Sequence, residues 1–403
     1  MSVFVRAPAR AVKSAPSRPV ISRALGISWR TIGWAPIACA ALLTVIGIAA
    51  IATTEPSMAA RQAAYAFVGV LAAALIVIPA PAVVERWSPH VFVVMLLLLI
   101  LLVLPGMPQS LVRPRNGSRC WIDLGPIDFQ PAEFAKVAWI LASAWWLRRA
   151  ADLRTRAGLL LPILLTAVPV VLILLQPDLG TALLFFPTLL AMLLMQGARR
   201  THLVAVIVSA ALLAPATYPV LKPHQRARID ALIAQLTGDD RYTRSIGFQA
   251  DRARTLVGAG GVAGNGKNDA RDLIRYNALP EEHNDMIFAV AACRWGLLGG
   301  LMLIVLEVAL VASALAIAVM TRSPFGRLVC TGVGSMIGFQ SFVNIGMTIG
   351  ILPITGLTLP FVSSGGTSLV ACWVAVGLLF AVAARDARSA GGLMGGSAAR
   401  VGA

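Results

Sequence analysis

Charge is scarce in this chain. Of 403 residues, 13% are Asp, Glu, Lys or Arg and 58% are apolar, where a soluble domain carries roughly 25% charged residues. That excludes an ordinary water-soluble globule. Acids are scarcer than bases, 18 against 34, which leaves a formal charge of +16. In a soluble protein such a surplus suggests nucleic acid. In a chain this apolar it reads as membrane topology, and no nucleic-acid partner is expected. The five cysteines (Cys39, Cys120, Cys293, Cys330, Cys372) are scattered, four of them in apolar stretches. Without metal-ligand spacing or a disulfide framework, no metal site is expected from them. No repeat of fixed period is present. No short apolar run followed by a small-residue cleavage site opens the chain, so a cleavable signal is not expected.

What the chain has is long apolar runs. A bilayer-spanning helix needs about 20 apolar residues, and such runs lie at about 31–53, 62–84, 90–106, 131–147, 157–176, 180–196, 202–220, 285–320, 327–350 and 366–384. The expected fold is an all-α integral membrane protein of about ten transmembrane helices. The run 285–320 is long for one helix and is expected to tilt, or to break near Gly296-Leu297-Leu298-Gly299-Gly300. The domain reading is a disordered basic tail over 1–30, a polytopic membrane domain over 31–385 and a flexible tail over 386–403. Lys and Arg in short loops mark the cytoplasmic side. Arg6, Arg10, Lys13, Arg18, Arg23 and Arg30, then Arg148, Arg149, Arg154 and Arg156, then Arg199-Arg200, Arg322/Arg327 and Arg385/Arg388 all fall on one face of a ten-span chain. Both termini are therefore expected in the cytoplasm, with the 107–130 connection and the large 221–284 loop, between the seventh and eighth spans, outside.

The outer face gathers the ionisable groups. Leu279-Pro280-Glu281-Glu282-His283-Asn284-Asp285 runs directly into the apolar Met286-Ile287-Phe288-Ala289-Val290. Charges at a membrane edge cost free energy and point to function, although Asn and Asp also make good N-caps. Lys136 lies within two turns of Pro131 among Phe134, Ala135, Val137 and Ala138. It either snorkels to the interface or faces a cavity and pairs with an anion. Asp178, in Gln176-Pro177-Asp178-Leu179-Gly180, reads as a cap or as part of a site. Arg119, Lys222 and Arg226 add positive charge on the same side, and Gln249 follows Gly247-Phe248. The glycine cluster Gly258-Ala259-Gly260-Gly261-Val262-Ala263-Gly264-Asn265-Gly266 could bring N–H groups to a phosphate or be a flexible loop. It is no dinucleotide fingerprint, because no strand precedes it. Leu357 to Ser368, with Ser363 inside it, suits a re-entrant or cavity-lining segment.

Several of these blocks occur together in one order: Asn116-Gly117-Ser118-Arg119-x-Trp121-Ile122, Phe129-Gln130-Pro131-Ala132-Glu133-x-x-Lys136, Gln176-Pro177-Asp178-Leu179-Gly180, Leu279-Pro280-Glu281-x-His283-Asn284-Asp285, and Leu352-Pro353-Ile354-Thr355-Gly356-Leu357-Thr358-Leu359-Pro360-Phe361-Val362-Ser363 with Gly365-Gly366-Thr367-Ser368. In this the chain resembles the SEDS family (RodA, FtsW, SpoVE) over about residues 30–385. The resemblance implies a ten-helix peptidoglycan glycosyltransferase of the bacterial cytoplasmic membrane that polymerises lipid II. Asp285 would be its essential carboxylate, the general base toward the acceptor sugar. Arg119, Lys136, Asp178, Lys222, Arg226, Gln249, Glu281, His283 and Ser363 would bind substrate. It also implies a class B penicillin-binding protein as partner, beside membrane lipid. No cofactor is identified, and a divalent cation is left open.

The chain departs from the family pattern in places. Ala292-Cys293-Arg294-Trp295-Gly296 lacks the usual acids and adds a cation, Asn277 stands at a commonly acidic position, and Ser364 replaces the usual Tyr. Two other readings stand beside the enzyme: a lipid II flippase, because polar residues in a helical bundle also mark transport paths and Glu307 is the one acid near the midplane, and, from these departures, a catalytically silent scaffold for the penicillin-binding protein. Motifs lean towards RodA at Phe129-Gln130-Pro131 and towards FtsW and SpoVE at Gly356-Leu357-Thr358-Leu359-Pro360.

Overall fold

A computed structural model of the chain describes residues 29–398 apart from 80, 107, 109–111, 113–117, 126–127, 150–152, 154, 219–225, 228–229, 231–232, 235–236 and 238–247. It is a helical bundle. A helix stands at each apolar run: α1 (Trp29–Ile51), α2 (Pro56–Val77), α3 (Pro81–Val103), α4 (Pro131–Leu147), α5 (Arg156–Leu175), α6 (Leu179–Met195), α7 (Arg200–Thr217), α10 (Ile287–Met320), α11 (Pro324–Thr348) and α12 (Gly366–Ala398). Two further helices, α8 (Phe248–Ala259) and α9 (Gly266–Asn277), rise within the segment read as a loop. Seven of the described helices are long and apolar enough to cross a membrane, and α6 is a shorter apolar one. The protein is a multi-pass membrane protein.

Local chemistry sets the helix starts. Pro56, Pro131 and Pro324 occupy first-turn positions, where their fixed φ suits the helix and the missing N–H is not needed. Thr155, Asp178 and Ser323 cap α5, α6 and α11 by accepting N–H bonds from Gly158, Thr181 and Gly326 at 3.1, 3.0 and 3.1 Å. Helix α3 begins nine residues before the run at 90–106 and takes Glu85 and Arg86 into its first turns. Glu85 is ion-paired there with Arg148 at the end of α4. The last helix continues to Ala398, past the 385 boundary, with Asp386 held by the Thr321 hydroxyl.

Small residues let the helices approach. A Cβ on Gly377 of α12 would lie 2.8 Å from the Ala73 carbonyl of α2, which is why these two helices pack along their length. Helix α10 packs against α11 and α1, and α8 and α9 pack on α10. The apolar core runs through α1, α4, α10, α11 and α12. A two-stranded antiparallel hairpin, β1 (Ile122–Asp123) and β2 (Asp128–Phe129), pairs Ile122 with Phe129 and Asp123 with Asp128 before α4.

Helix α10 is broken at Gly296, whose φ of 68° and ψ of −163° are not helical. The glycine cluster is what meets the break. The Leu297 N–H donates to the Gly261 carbonyl at 2.9 Å, and the Asn265 N–H donates to the Cys293 carbonyl at 3.2 Å. A Cβ on Gly264 would sit 2.3 Å from the Arg294 carbonyl, and one on Gly296 would sit 2.4 Å from the Val262 carbonyl. The glycines are therefore present because two backbones touch. The N–H groups of Gly260, Gly261, Gly264 and Asn265 all donate to carbonyls within the protein. This corrects both earlier readings of the cluster, as a phosphate cradle and as a flexible loop.

Candidate active site

Asp285 lies at the end of the turn that leads into α10 and is 6% exposed. Its carboxylate Oδ1 accepts from Gln249 Nε2 of α8 at 3.4 Å, and the same amide reaches the Pro280 carbonyl at 3.3 Å. The turn is tight. Ala278 ends α9 in the left-handed region, and Glu281 has a φ of 53°. Glu281 is exposed and its carboxylate accepts from Asn284 Nδ2 at 2.5 Å. It therefore shapes the turn that presents Asp285.

His283 is half-buried between α1 and Glu282. Its Nδ1 lies 3.3 Å from Thr54 Oγ1 and its Nε2 lies 3.2 Å from Glu282 Oε1. The end of α1 is a general anchor for the site. Arg271 Nε donates to the Thr53 carbonyl at 2.9 Å, and Arg294 donates to Thr53 Oγ1 at 3.0 Å and to the Ala49 carbonyl. Two cations on the C-terminal carbonyls of a helix complement its dipole. Arg294, the cation that departs from the family pattern, thus has a structural partner.

The segment 357–365 closes the other side. The Ser364 N–H donates to the His283 carbonyl at 2.7 Å. Gln62 of α2 grips the same turn, its Nε2 donating to the Ser363 carbonyl at 2.8 Å. The Ser363 hydroxyl accepts from the Leu359 N–H at 2.7 Å, so it is engaged in the turn itself. Asn344 of α11 donates through Nδ2 to the carbonyls of Asp285 and Leu357, both at 2.7 Å.

Lys136 does not snorkel. It is 3% exposed and sits 3.1 Å from Glu133 Oε1 and 3.1 Å from Gln340 Oε1. Gln340 then donates to the Thr358 carbonyl at 2.9 Å, so the buried cation joins the segment that packs on the Asp285 turn. Asp178 is a cap, as its Thr181 bond shows, and it also accepts from Gln130 at 3.3 Å. Withdrawal from water pushes its carboxyl above the ordinary value, the Thr181 hydrogen bonds pull it down, and Glu133 and Lys136 add smaller opposing effects. Cys120 nearby donates to the Gln176 carbonyl at 3.1 Å, and burial pushes its thiol well up.

Arg119 is exposed beside the hairpin. Arg226 lies with its guanidinium carbon 5.8 Å from the Tyr218 ring centre. Lys222 lies outside the described residues. Among the described residues no group of three or more His, Cys, Asp and Glu is arranged to hold a metal ion. Sequence reading missed Gln62, Gln340, Asn344 and Thr54, all uncharged. A usable signal exists for two of them: Gln340 and Asn344 stand four apart in an apolar run, on one face of a helix.

The family model described as a cell cycle protein, covering FtsW, RodA and SpoVE, matches residues 31–388. The chain belongs to this family. It is 36% identical over 306 residues to a protein named as a probable peptidoglycan glycosyltransferase FtsW from Nitrosococcus halophilus, which covers 74% of this chain and 75% of the relative. It is 31% identical over 304 residues to the peptidoglycan glycosyltransferase MrdB of Escherichia coli K12, over 75% and 79% of the two chains. Among solved structures, a chain of a peptidoglycan synthase complex that coordinates polymerization and crosslinking matches with a TM-score of 0.75 and 32% identity, over 88% of this chain and 98% of that one. The rod shape determining protein RodA of Thermus thermophilus matches with a TM-score of 0.64 and 28% identity, over 87% and 96%.

Proposed function

We propose that this family member is a peptidoglycan glycosyltransferase that polymerises lipid II at the outer face of the bacterial cytoplasmic membrane, with Asp285 as general base. The observation that carries this is a buried carboxylate, held by Gln249, on a turn pinned from three sides by α1, α11 and the 357–365 segment. A sugar hydroxyl is a poor nucleophile. Asp285 accepts the proton of the acceptor's 4-hydroxyl as that oxygen attacks the donor's anomeric carbon. The bond to the prenyl diphosphate breaks, and the diphosphate takes the electron pair. A placed base typically contributes about 10²–10⁴-fold.

Ten crossings follow from the ten apolar runs, and the 221–284 segment outside with both termini in the cytoplasm follows from the Lys/Arg bias. Arg119, Lys222 and Arg226 lie on the outer side in that topology, where they supply charge to the leaving diphosphate. Lys136 contributes through its pair with Glu133 rather than by direct contact. A class B penicillin-binding protein is the expected partner, since the matched synthase complex couples polymerization to crosslinking. The flippase reading is weaker. In the second half of α10, Glu307 and Ser313 are the buried polar residues, and two such groups do not line a polar path through the bilayer on that helix.

The test is direct. Protein purified with its transpeptidase partner is given fluorescent lipid II, and products are resolved on a gel. Glycan chains are the expected product. Lipid II crossing proteoliposomes with no polymer formed would establish the flippase instead.

A further inference from the structure

We propose that Asn344 is a positioning residue for Asp285, acting through a carboxamide that bridges the turn carrying the base to the 357–365 segment. The proposal rests on the reading of Asp285 as base. Asn344 is fully buried on α11. A carboxamide has two N–H donors, and here one goes to the carbonyl of Asp285 itself and one to the carbonyl of Leu357, at 2.7 Å each. Its Oδ1 is buried with no hydrogen-bond partner among the described residues. The reversed amide would place that oxygen 2.7 Å from two carbonyl oxygens, so the two acceptors fix which way the group points. The fold leaves one acceptor unpaired in order to hold two loop carbonyls.

Neighbouring bonds show what the bridge completes. Gln340, one turn earlier on the same face of α11, holds the Thr358 carbonyl at 2.9 Å. Gln340 and Asn344 thus fasten consecutive residues of the 357–365 segment. The far end of that segment is gripped by Gln62 and returns a bond to the His283 carbonyl. On this side the Asp285 turn is therefore tied at the His283 carbonyl and, through Asn344, at the Asp285 carbonyl. Asn344 contacts the peptide unit of the reacting residue and no reacting atom. A base must be held to within about 0.5 Å of its productive position, and a 1 Å displacement costs about 10²-fold in rate.

Three variants test this, each purified with the transpeptidase partner and given fluorescent lipid II. Asn344→Leu keeps the branching and the number of side-chain heavy atoms and removes both donors. Asn344→Ser keeps a small polar group that cannot bridge, and carries the test if the leucine variant does not fold. Ser341→Ala removes a hydroxyl that donates to the Ile337 carbonyl within α11 and faces Glu307 of α10, away from the Asp285 turn, and controls for damage to the helix. The expected result for both Asn344 variants is a fall in kcat of about 10²-fold with KM for lipid II little changed. The acid limb of kcat against pH should also move, where a smaller folded fraction would only scale its height. Ser341→Ala should match the wild type. Wild-type kcat in Asn344→Leu or Asn344→Ser, beside an inactive Asp285→Ala, overturns the proposal and leaves the base standing. A profile merely scaled, with Ser341→Ala reduced equally, reduces Asn344 to packing and also overturns it. Polymerisation by Asp285→Ala overturns the underlying reading instead.

Discussion

Lys136 and Glu133 show how this bundle carries charge at depth. Both are buried, at 3% and 5% exposure, and they pair at 3.1 Å, three residues apart on α4. Glu133 Oε2 finds no partner among the described residues, so Lys136 is the group that balances its charge. Removing one member of a buried pair leaves an uncompensated charge and costs about 3–5 kcal/mol. Lys136→Met should lower the free energy of unfolding in detergent by that order, and the double variant Lys136→Met/Glu133→Gln should recover most of it. Equal loss in both would mean the lysine matters for something other than charge balance. The lysine was visible in the sequence as an oddity among apolar neighbours. Its partner was not, because two side chains three residues apart can meet or splay, and Gln340 comes from 204 residues away.

At the scale of elements, the break in α10 is the feature on which the outer segment depends. Gly296→Ala would force a side chain into a φ of 68° and against the Val262 carbonyl. Left-handed strain alone costs about 1–3 kcal/mol, and the clash adds to it. Gly197 has a φ of 92° but nothing within 4 Å of its missing Cβ, so Gly197→Ala should cost only the strain. Hydrogen exchange in α8 and α9 should rise in Gly296→Ala while α11 stays protected. Unchanged exchange in α8 and α9 would show that the glycine contact does not hold them. The break was legible in the sequence, since 285–320 is too long for one helix and carries three glycines. Helix α9 was legible too, had period been counted: Ala270, Ile274 and Asn277 fall on one buried face of a polar helix. Its low apolar content hid it. The contact between the glycine cluster and the break could not be read, because backbone meeting backbone leaves no sign except glycine, which loops share.

For the whole molecule, the claim that matters is sidedness. The Asp285 turn stands at one end of α10 and Arg322 follows its other end. In a cysteine-free background, Tyr276→Cys on α9, at a position 89% exposed, should react with a membrane-impermeant maleimide applied outside spheroplasts. Arg322→Cys should react only after the membrane is opened. The reverse pattern would place the carboxylate in the cytoplasm. Ten apolar runs were enough to foresee a helical membrane bundle, and a helix stands at each. The ties that assemble the site come from buried amides on helices distant in sequence, which no run of residues reveals.

The measurement that bears most directly on the central claim is glycan synthesis by Asp285→Asn, a change that keeps shape and removes the proton acceptor. Wild type and variant, each purified with the partner and equally well folded, are given fluorescent lipid II and their initial rates compared. The expected outcome is a fall of about 10²–10⁴-fold. Chains made by Asp285→Asn at the wild-type rate would contradict it.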